Sequence, residues 1–312
     1  SGFDQVSDTA NCIVVYPQGY GNSWNISGSL SSPNDSLFIS TLLDSLESQL
    51  SIDISRIYST GMSMGGFMTY NMACQFPGRI TAIAVVSGNM SDNRKTLCQL
   101  SHPIPVMHIH GTADPIVNYN GTFGISSVPN TIDWWVQTNN CDTNPVITAF
   151  PDIVTLDGCT AELFYYAPTA LSDSSEVSFI KITNGGHTWP GAIPIPSLGN
   201  TNQDFNGSGI IWNFFRKFKL NTATDIQNLS GTNSLVTIFP NPFGNEFNLN
   251  ISKNIQINEI SIFNPYVQLV KNFISDPCPG NVIVNTQSLP SGLYFVYIKS
   301  SNGILAKKII KQ

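Results

Sequence analysis

STGMSMGGFMTY, residues 59–70, is the stretch on which the fold turns. Within it, Gly61-Met62-Ser63-Met64-Gly65 is either a nucleophile on a tight turn or five ordinary loop residues, and G-x-S-x-G arises by chance in roughly one chain of this length in ten. The flanks decide. "RIYSTG" (56–61) reads as a strand and "GFMTYNMACQFP" (66–77) as a helix stopped at Pro77. A strand entering and a helix leaving are the setting of a nucleophile elbow. The glycines permit a strained turn that lifts the Ser63 hydroxyl clear of the sheet, and the next amide, that of Met64, can donate to an oxyanion.

Working outward, "CIVVYP" (12–17) reads as a buried strand, and residues 34–50 place Leu37, Leu42, Leu43, Leu46 and Leu50 at helical spacing. "ITAIAVVSG" (80–88), "IPVMHIHG" (104–111) and "EVSFIKITNGG" (176–186) read as further strands; "TIDWWVQTNN" (131–140) and "GSGIIWNFFRKFKL" (207–220) read as helices. Strands alternating with helices imply an α/β fold with a mainly parallel sheet, whose ligand sites lie at the carboxyl ends of strands. After Leu220 the texture changes. Residues 221–234 are polar and uncharged except for Asp225, as a linker is, and 235–312 alternate apolar and polar between Gly, Asn and Pro turns, as a small all-β sandwich does. The expected domains are therefore 1–220 and 235–312.

Charge supports the division. Residues 1–232 carry 8 Lys and Arg against 17 Asp and Glu, net −9, while residues 233–312 carry 6 against 3, net +3. Charged residues make up only 11% of the chain, against a typical ~25%. A net charge of −6 removes the electrostatic basis for binding nucleic acid, and no run approaches a transmembrane segment. The six cysteines show no C-x-x-C spacing, so no zinc or thioredoxin-like site is expected. A Cys141–Cys159 disulfide is the expected pairing, closing a polar loop for ~3 kcal/mol in an oxidising compartment.

A serine needs a base held by an acid, and in this fold the chain order is serine, acid, histidine. "HIHGTADPIVNY" supplies Asp114 just past one strand and "ITNGGHTWPG" supplies His187 just past the next. His187 is the only histidine after Asp114. His102 reads as a solvated loop residue; His108 and His110 share a strand face and read as hydrogen-bonded structural histidines, since no further ligand stands at metal-binding spacing. Trp134 and Trp135 read as core. Trp189 and Trp24 are the candidate substrate-binding aromatics.

"YPQG" (16–19) with Trp24-Asn25, "GMSMGGFMTYNMAC", "PVMHIHGTADPIVNY", "TIDWWV", "GGHTWPG" and "IIWNFF" occur in an order and spacing that resembles secreted esterases related to polyhydroxybutyrate depolymerases and feruloyl or acetylxylan esterases. The resemblance covers residues 1 to about 218. It implies an α/β-hydrolase with Ser63 as nucleophile, Asp114 as acid and His187 as base, hydrolysing esters through an acyl-enzyme with no metal or organic cofactor. "FPNPFGNEFNLNI" and "LPSGLYFVYI…GILAKKIIKQ" resemble the sorting domains of type IX secretion, which implies that machinery as partner and a destination at the cell surface or beyond; the alternative is a generic β-sandwich or carbohydrate-binding module.

The chain departs from the esterase pattern at its start. Only one candidate strand precedes the one leading to Ser63, and no HG-type loop supplies a second oxyanion donor, so the expectation is an N-terminally truncated hydrolase domain lacking a signal peptide. The leading expectation is removal of feruloyl or acetyl groups from plant-wall polysaccharide. The alternatives are a polyester depolymerase and a non-catalytic binding protein on a hydrolase scaffold.

Overall fold

The computed structural model describes residues 1–26, 33–170, 174–220, 236–251, 257–264, 269–273, 280–300 and 303–312, which fall into two compact units, Ser1–Thr222 and Ala223–Gln312. The expected linker, 221–234, lies outside the described residues.

In the first unit the elements run α1 (Phe3–Ala10), α2 (Asp35–Gln49), β1 (Tyr58–Met62), α3 (Met64–Gln75), β2 (Ala82–Val86), α4 (Asp92–Leu97), β3 (Val106–Gly111), α5 (Val128–Thr138), β4 (Val146–Ala149), β5 (Thr160–Tyr166), β6 (Val177–Thr183) and α6 (Gly207–Phe215). Polar side chains set the helix starts: Asn34, Ser91, Ser127 and Asn206 each accept an amide of the first turn. The strands form one sheet in the order β1-β2-β3-β6-β5-β4, with β1, β2, β3 and β6 parallel. β5 and β4 extend it as an antiparallel hairpin that the sequence reading did not include.

β2 is buried along its whole length because both of its faces are covered. Ile83 and Val85 enter a core with Met68, Tyr70 and Met72 of α3 and Ile132 and Trp135 of α5. Ala82, Ala84 and Val86 enter the opposite core with Phe3 of α1 and Ile211, Phe214 and Phe215 of α6. The period of two along one short strand thus builds both layers. Trp135 is fully buried and Trp134 half-buried against the same core.

Three expectations are corrected. "CIVVYP" forms no strand; Ile13 and Tyr16 are 58% and 60% exposed, and only Val14 reaches the core. No described strand offers it backbone hydrogen bonds, so its β-branched composition alone does not make it one. The last helix ends at Phe215 rather than 220, its final turn tightening as Lys217 and Phe218 N–H donate to Phe214 and Phe215 O. The disulfide joins Cys74 to Cys98, the last turn of α3 to the end of α4, with Cα atoms 4.9 Å apart. Cys141 and Cys159 are free buried thiols: Cys141 Sγ–H donates to Ser175 O at 2.8 Å and Cys159 Sγ–H to Asp157 Oδ1 at 3.3 Å. Burial pushes the two thiols up to about 11 and about 12.

The second unit comprises β7 (Val236–Phe239), β8 (Glu246–Ile251), β9 (Ile257–Phe263), β10 (Leu269–Phe273), β11 (Gly280–Asn285), β12 (Gly292–Ser300) and β13 (Gly303–Lys311). They form two antiparallel sheets, β10-β9-β12-β13 and β11-β8-β7. Phe247, Leu249 and Val284 from one and Ile260, Ile262, Val296, Ile298 and Ile309 from the other share a single core. Lys311 is buried, its Nζ donating to Thr286 O at 2.7 Å and Leu289 O at 2.6 Å.

Candidate active site

Ser63 occupies the single residue between β1 and α3, at φ 54°, ψ −124°. A non-glycine residue there costs on the order of 1–3 kcal/mol and persists only where its surroundings impose it. They do so through the backbone: Ser63 N–H donates to Val86 O at 3.0 Å, and Ser63 O accepts from the amides of Gly66 at 2.9 Å and Phe67 at 3.1 Å. A methyl group on Gly61 would lie 2.3 Å from Gly65 O, so the turn closes only on glycine. The Met64 N–H is the first of α3 and has no intrahelical acceptor, which leaves it, with the helix dipole, turned toward developing negative charge.

Asp114 follows β3 and His187 follows β6, so both lie beyond the carboxyl ends of the parallel strands, as Ser63 does. Their two loops are laced together: Thr112 N–H donates to Ile182 O at 2.8 Å, Ala113 N–H to Gly185 O at 3.0 Å, and Asn184 N–H to Thr112 Oγ1 at 2.9 Å. The approach is so close that a methyl group on Gly111 would sit 2.1 Å from Gly185 O. His187 is fixed from the other side by its own N–H to Leu198 O at 2.7 Å.

Asp114 and His187 are paired. His187 Nδ1–H donates to Asp114 Oδ2 at 2.9 Å, with Oδ1 at 3.1 Å, and Asp114 Oδ1 also accepts the amides of Ile116 and Val117, each at 2.8 Å. Burial alone would push this carboxyl up; the His187 bond and the two amides outweigh it and hold Asp114 below the usual carboxylate range. With Nδ1 donating, a neutral His187 presents Nε2 as a lone pair.

Beside the elbow lies a cleft of about 220 Å³ walled by Ser63, Met64, Ile26, Phe67, Ile116 and Ile125, with no charged side chain in its lining. Met64 Sδ accepts from Ser23 Oγ at 3.4 Å and Trp24 N at 3.2 Å, which ties the 20–24 segment to the elbow. Trp24 is half-buried against the α3 and α5 core. Trp189 is placed otherwise than expected: its indole is buried edge-on to Phe3 and its Nε1–H donates to Ser208 Oγ at 3.2 Å, so it packs α1 and α6 and does not line the cleft. The cleft wall at 116–125 follows directly on Asp114 in "PIVNYNGTFGI" (115–125). Among the described residues, no three His, Cys, Asp or Glu side chains are grouped to hold a metal ion.

Comparison with known proteins gives matches in both units. Residues 32–142 match the Phospholipase/Carboxylesterase family, and residues 237–312 match the Secretion system C-terminal sorting domain. The chain is 26% identical over 237 residues to the bifunctional acetylxylan esterase/xylanase XynS20E of Neocallimastix patriciarum, covering 75% of this chain and 31% of that protein. It is 31% identical over 130 residues to a probable feruloyl esterase C of Aspergillus clavatus, covering 41% and 43%. It is 29% identical over 152 residues to feruloyl esterase B of Piromyces equi, covering 43% and 28%. The chain thus spans less than half the length of each of these relatives. Residues 32–142 are thus similar to a carboxylesterase family, and residues 237–312 are similar to C-terminal sorting domains, which mark a protein for export to the cell surface or beyond. Among the described residues, no helix is long and apolar enough to cross a membrane.

Proposed function

We propose that this protein is a secreted serine esterase that removes feruloyl or acetyl groups from plant-wall polysaccharide, with residues 1–220 as the hydrolase and 235–312 as its address to the secretion machinery. The observation that carries the reading is the 2.9 Å bond between Asp114 and His187, beyond the same strand ends that present the strained Ser63. Ser63 Oγ attacks the ester carbonyl carbon as its proton passes to His187 Nε2. The Met64 amide N–H donates a hydrogen bond to the developing oxyanion, and Asp114 steadies the imidazolium. Collapse breaks the bond to the alcohol, which leaves with the proton from Nε2. Water then repeats the sequence on the acyl-enzyme and frees the acid.

The cleft lining, mainly apolar through Ile26, Met64, Phe67, Ile116, Val117 and Ile125 and without a charged side chain, suits an apolar acyl group. Hydrolysis of methyl ferulate, acetylated xylan and a soluble hydroxybutyrate oligomer by the full chain, with Ser63→Ala beside it, tests the proposal. Turnover of ferulate or acetylxylan that the substitution abolishes supports it. Turnover of the oligomer alone assigns a polyester depolymerase, and hydrolysis that survives Ser63→Ala removes the elbow from the chemistry.

A further inference from the structure

Behind the acid lies a chain of buried polar groups that the mechanism above does not use. Tyr70 Oη is 2.6 Å from His108 Nδ1, His108 Nε2 is 3.1 Å from His110 Nδ1, and His110 Nε2 is 2.8 Å from Val117 O and 3.5 Å from Asp114 Oδ2. All three side chains are essentially inaccessible to water. Trp135 stacks on Tyr70 at 5.6 Å, the two imidazoles stack at 5.3 Å, and Tyr119 meets His110 edge-on, so none of the rings is free to turn.

The protons along this chain run one way. Val117 O can only accept, so His110 Nε2 carries the hydrogen. Burial keeps both rings in their uncharged form. A neutral His110 then has a lone pair on Nδ1, which takes the hydrogen of His108 Nε2; His108 Nδ1 in turn takes the hydrogen of the Tyr70 hydroxyl. One carbonyl thereby dictates two tautomers and one hydroxyl rotor.

The end of the chain is the Asp114 turn. Val117 receives His110 on its carbonyl and gives its amide to Asp114 Oδ1, while His110 Nε2 also faces Oδ2, the oxygen that His187 holds at 2.9 Å. We propose that Tyr70, His108 and His110 are positioning residues: through Val117 and the flank of Oδ2 they hold the Asp114 carboxylate in the plane and orientation that His187 requires. This rests on the assignment of Asp114 and His187 as acid and base. None of the three touches the cleft, so their contribution falls on the chemical step and not on substrate binding.

The test uses the full chain, with kcat expressed per active site titrated by an acylating inhibitor, and the low-field proton resonance of the His187–Asp114 hydrogen bond as a second readout. His110→Leu lowers kcat on the order of 10- to 100-fold with KM within about 2-fold, and displaces or broadens the resonance. His110→Gln, which keeps a donor at the height of Nε2, restores most of both. Tyr70→Phe removes only the hydroxyl and lowers kcat by a few-fold at about constant KM; it stands in if His110→Leu does not fold. An unchanged kcat per site with an undisturbed resonance in His110→Leu, or in Tyr70→Phe where His110→Leu does not fold, overturns the proposal. So does a loss of folded protein with full activity in the remainder, which is what core packing alone produces. Hydrolysis that persists in Ser63→Ala speaks against the triad, whereas the resonance reports on Asp114 and His187 whatever the nucleophile is.

Discussion

In the first unit the interior holds His108, His110, Asp114 and Asn89 beside its apolar clusters, whereas the second unit fills its core from Phe243 to Ile309 with aliphatic and aromatic side chains and one buried amine, Lys311. Each of these buried groups has hydrogen-bond partners, but they are supplied in different ways. Lys311 is met by two carbonyls of the 286–289 segment and fastens the last strand where it lies. The polar groups of the first unit are instead strung between elements, from α3 through β3 to the loop that carries the acid. Apolar burial is enough to make a sheet pair fold; a carboxylate that must meet an imidazole at hydrogen-bond distance is oriented by directional contacts on several sides.

The difference is broken most sharply by substitutions that should empty one unit of its activity and leave the other intact. Ser63→Ala, and Asp114→Asn with its loss of the correct imidazole tautomer, should each lower hydrolysis by about 10⁴-fold or more while the full chain stays folded by circular dichroism.

Acid comes next in size. Burial holds His108 and His110 below their ordinary value, near 6.5, so just below that pH the unfolded chain takes up protons that the folded chain refuses. Stability therefore rises with pH through this window and is lost as pH falls below about 6.5, by up to about 1.4 kcal/mol per pH unit for each ring. Asp114 adds a second loss only as pH drops through its own depressed value, below about 3.9. The second unit contains no histidine. Segment-resolved hydrogen exchange at pH 7 and pH 5 should show protection falling in β3 and α3 and holding in β8 and β12; equal loss in both units would sink the argument.

Two smaller effects sharpen the contrast. Replacing Cys74 and Cys98 by serine should cost the first unit about 3 kcal/mol, read as a lower urea midpoint for that transition alone. Lys311→Met should cost the second unit about 1–2 kcal/mol, since two buried carbonyls lose their donor, and should leave ester hydrolysis unchanged.

What the sequence disclosed follows the same line. Ser63, Asp114 and His187 were legible because each sits at a strand end marked by local signals, glycines around the serine and Gly-Thr-Ala-Asp and Gly-Gly-His after β3 and β6. The β4–β5 hairpin was passed over although "VITA" and "TAELFYY" have strand composition, because the polar stretch between them reads as one long loop. The disulfide was misassigned because closeness in sequence was used where closeness in space decides: α3 and α4 bring Cys74 to Cys98 across β2. "CIVVYP" shows the converse, a strand-like composition with no neighbour to pair it. Tyr70 carried no local mark at all, since its role depends on a histidine 38 positions away.

The backbone contact between Gly111 and Gly185 sets a boundary for anyone wishing to redesign this protein. A combinatorial library at 192–197, where the chain stands largely in solvent, samples new surfaces without disturbing Asp114 and His187. A library that reaches 111 or 186 is emptied at once, since any side chain there would occupy the place of a neighbouring main chain, and at 185 an added methyl group would lie 2.5 Å from the Ile182 side chain. Variation in this molecule is thus partitioned into one stretch open to selection and one closed to it, only a few residues apart.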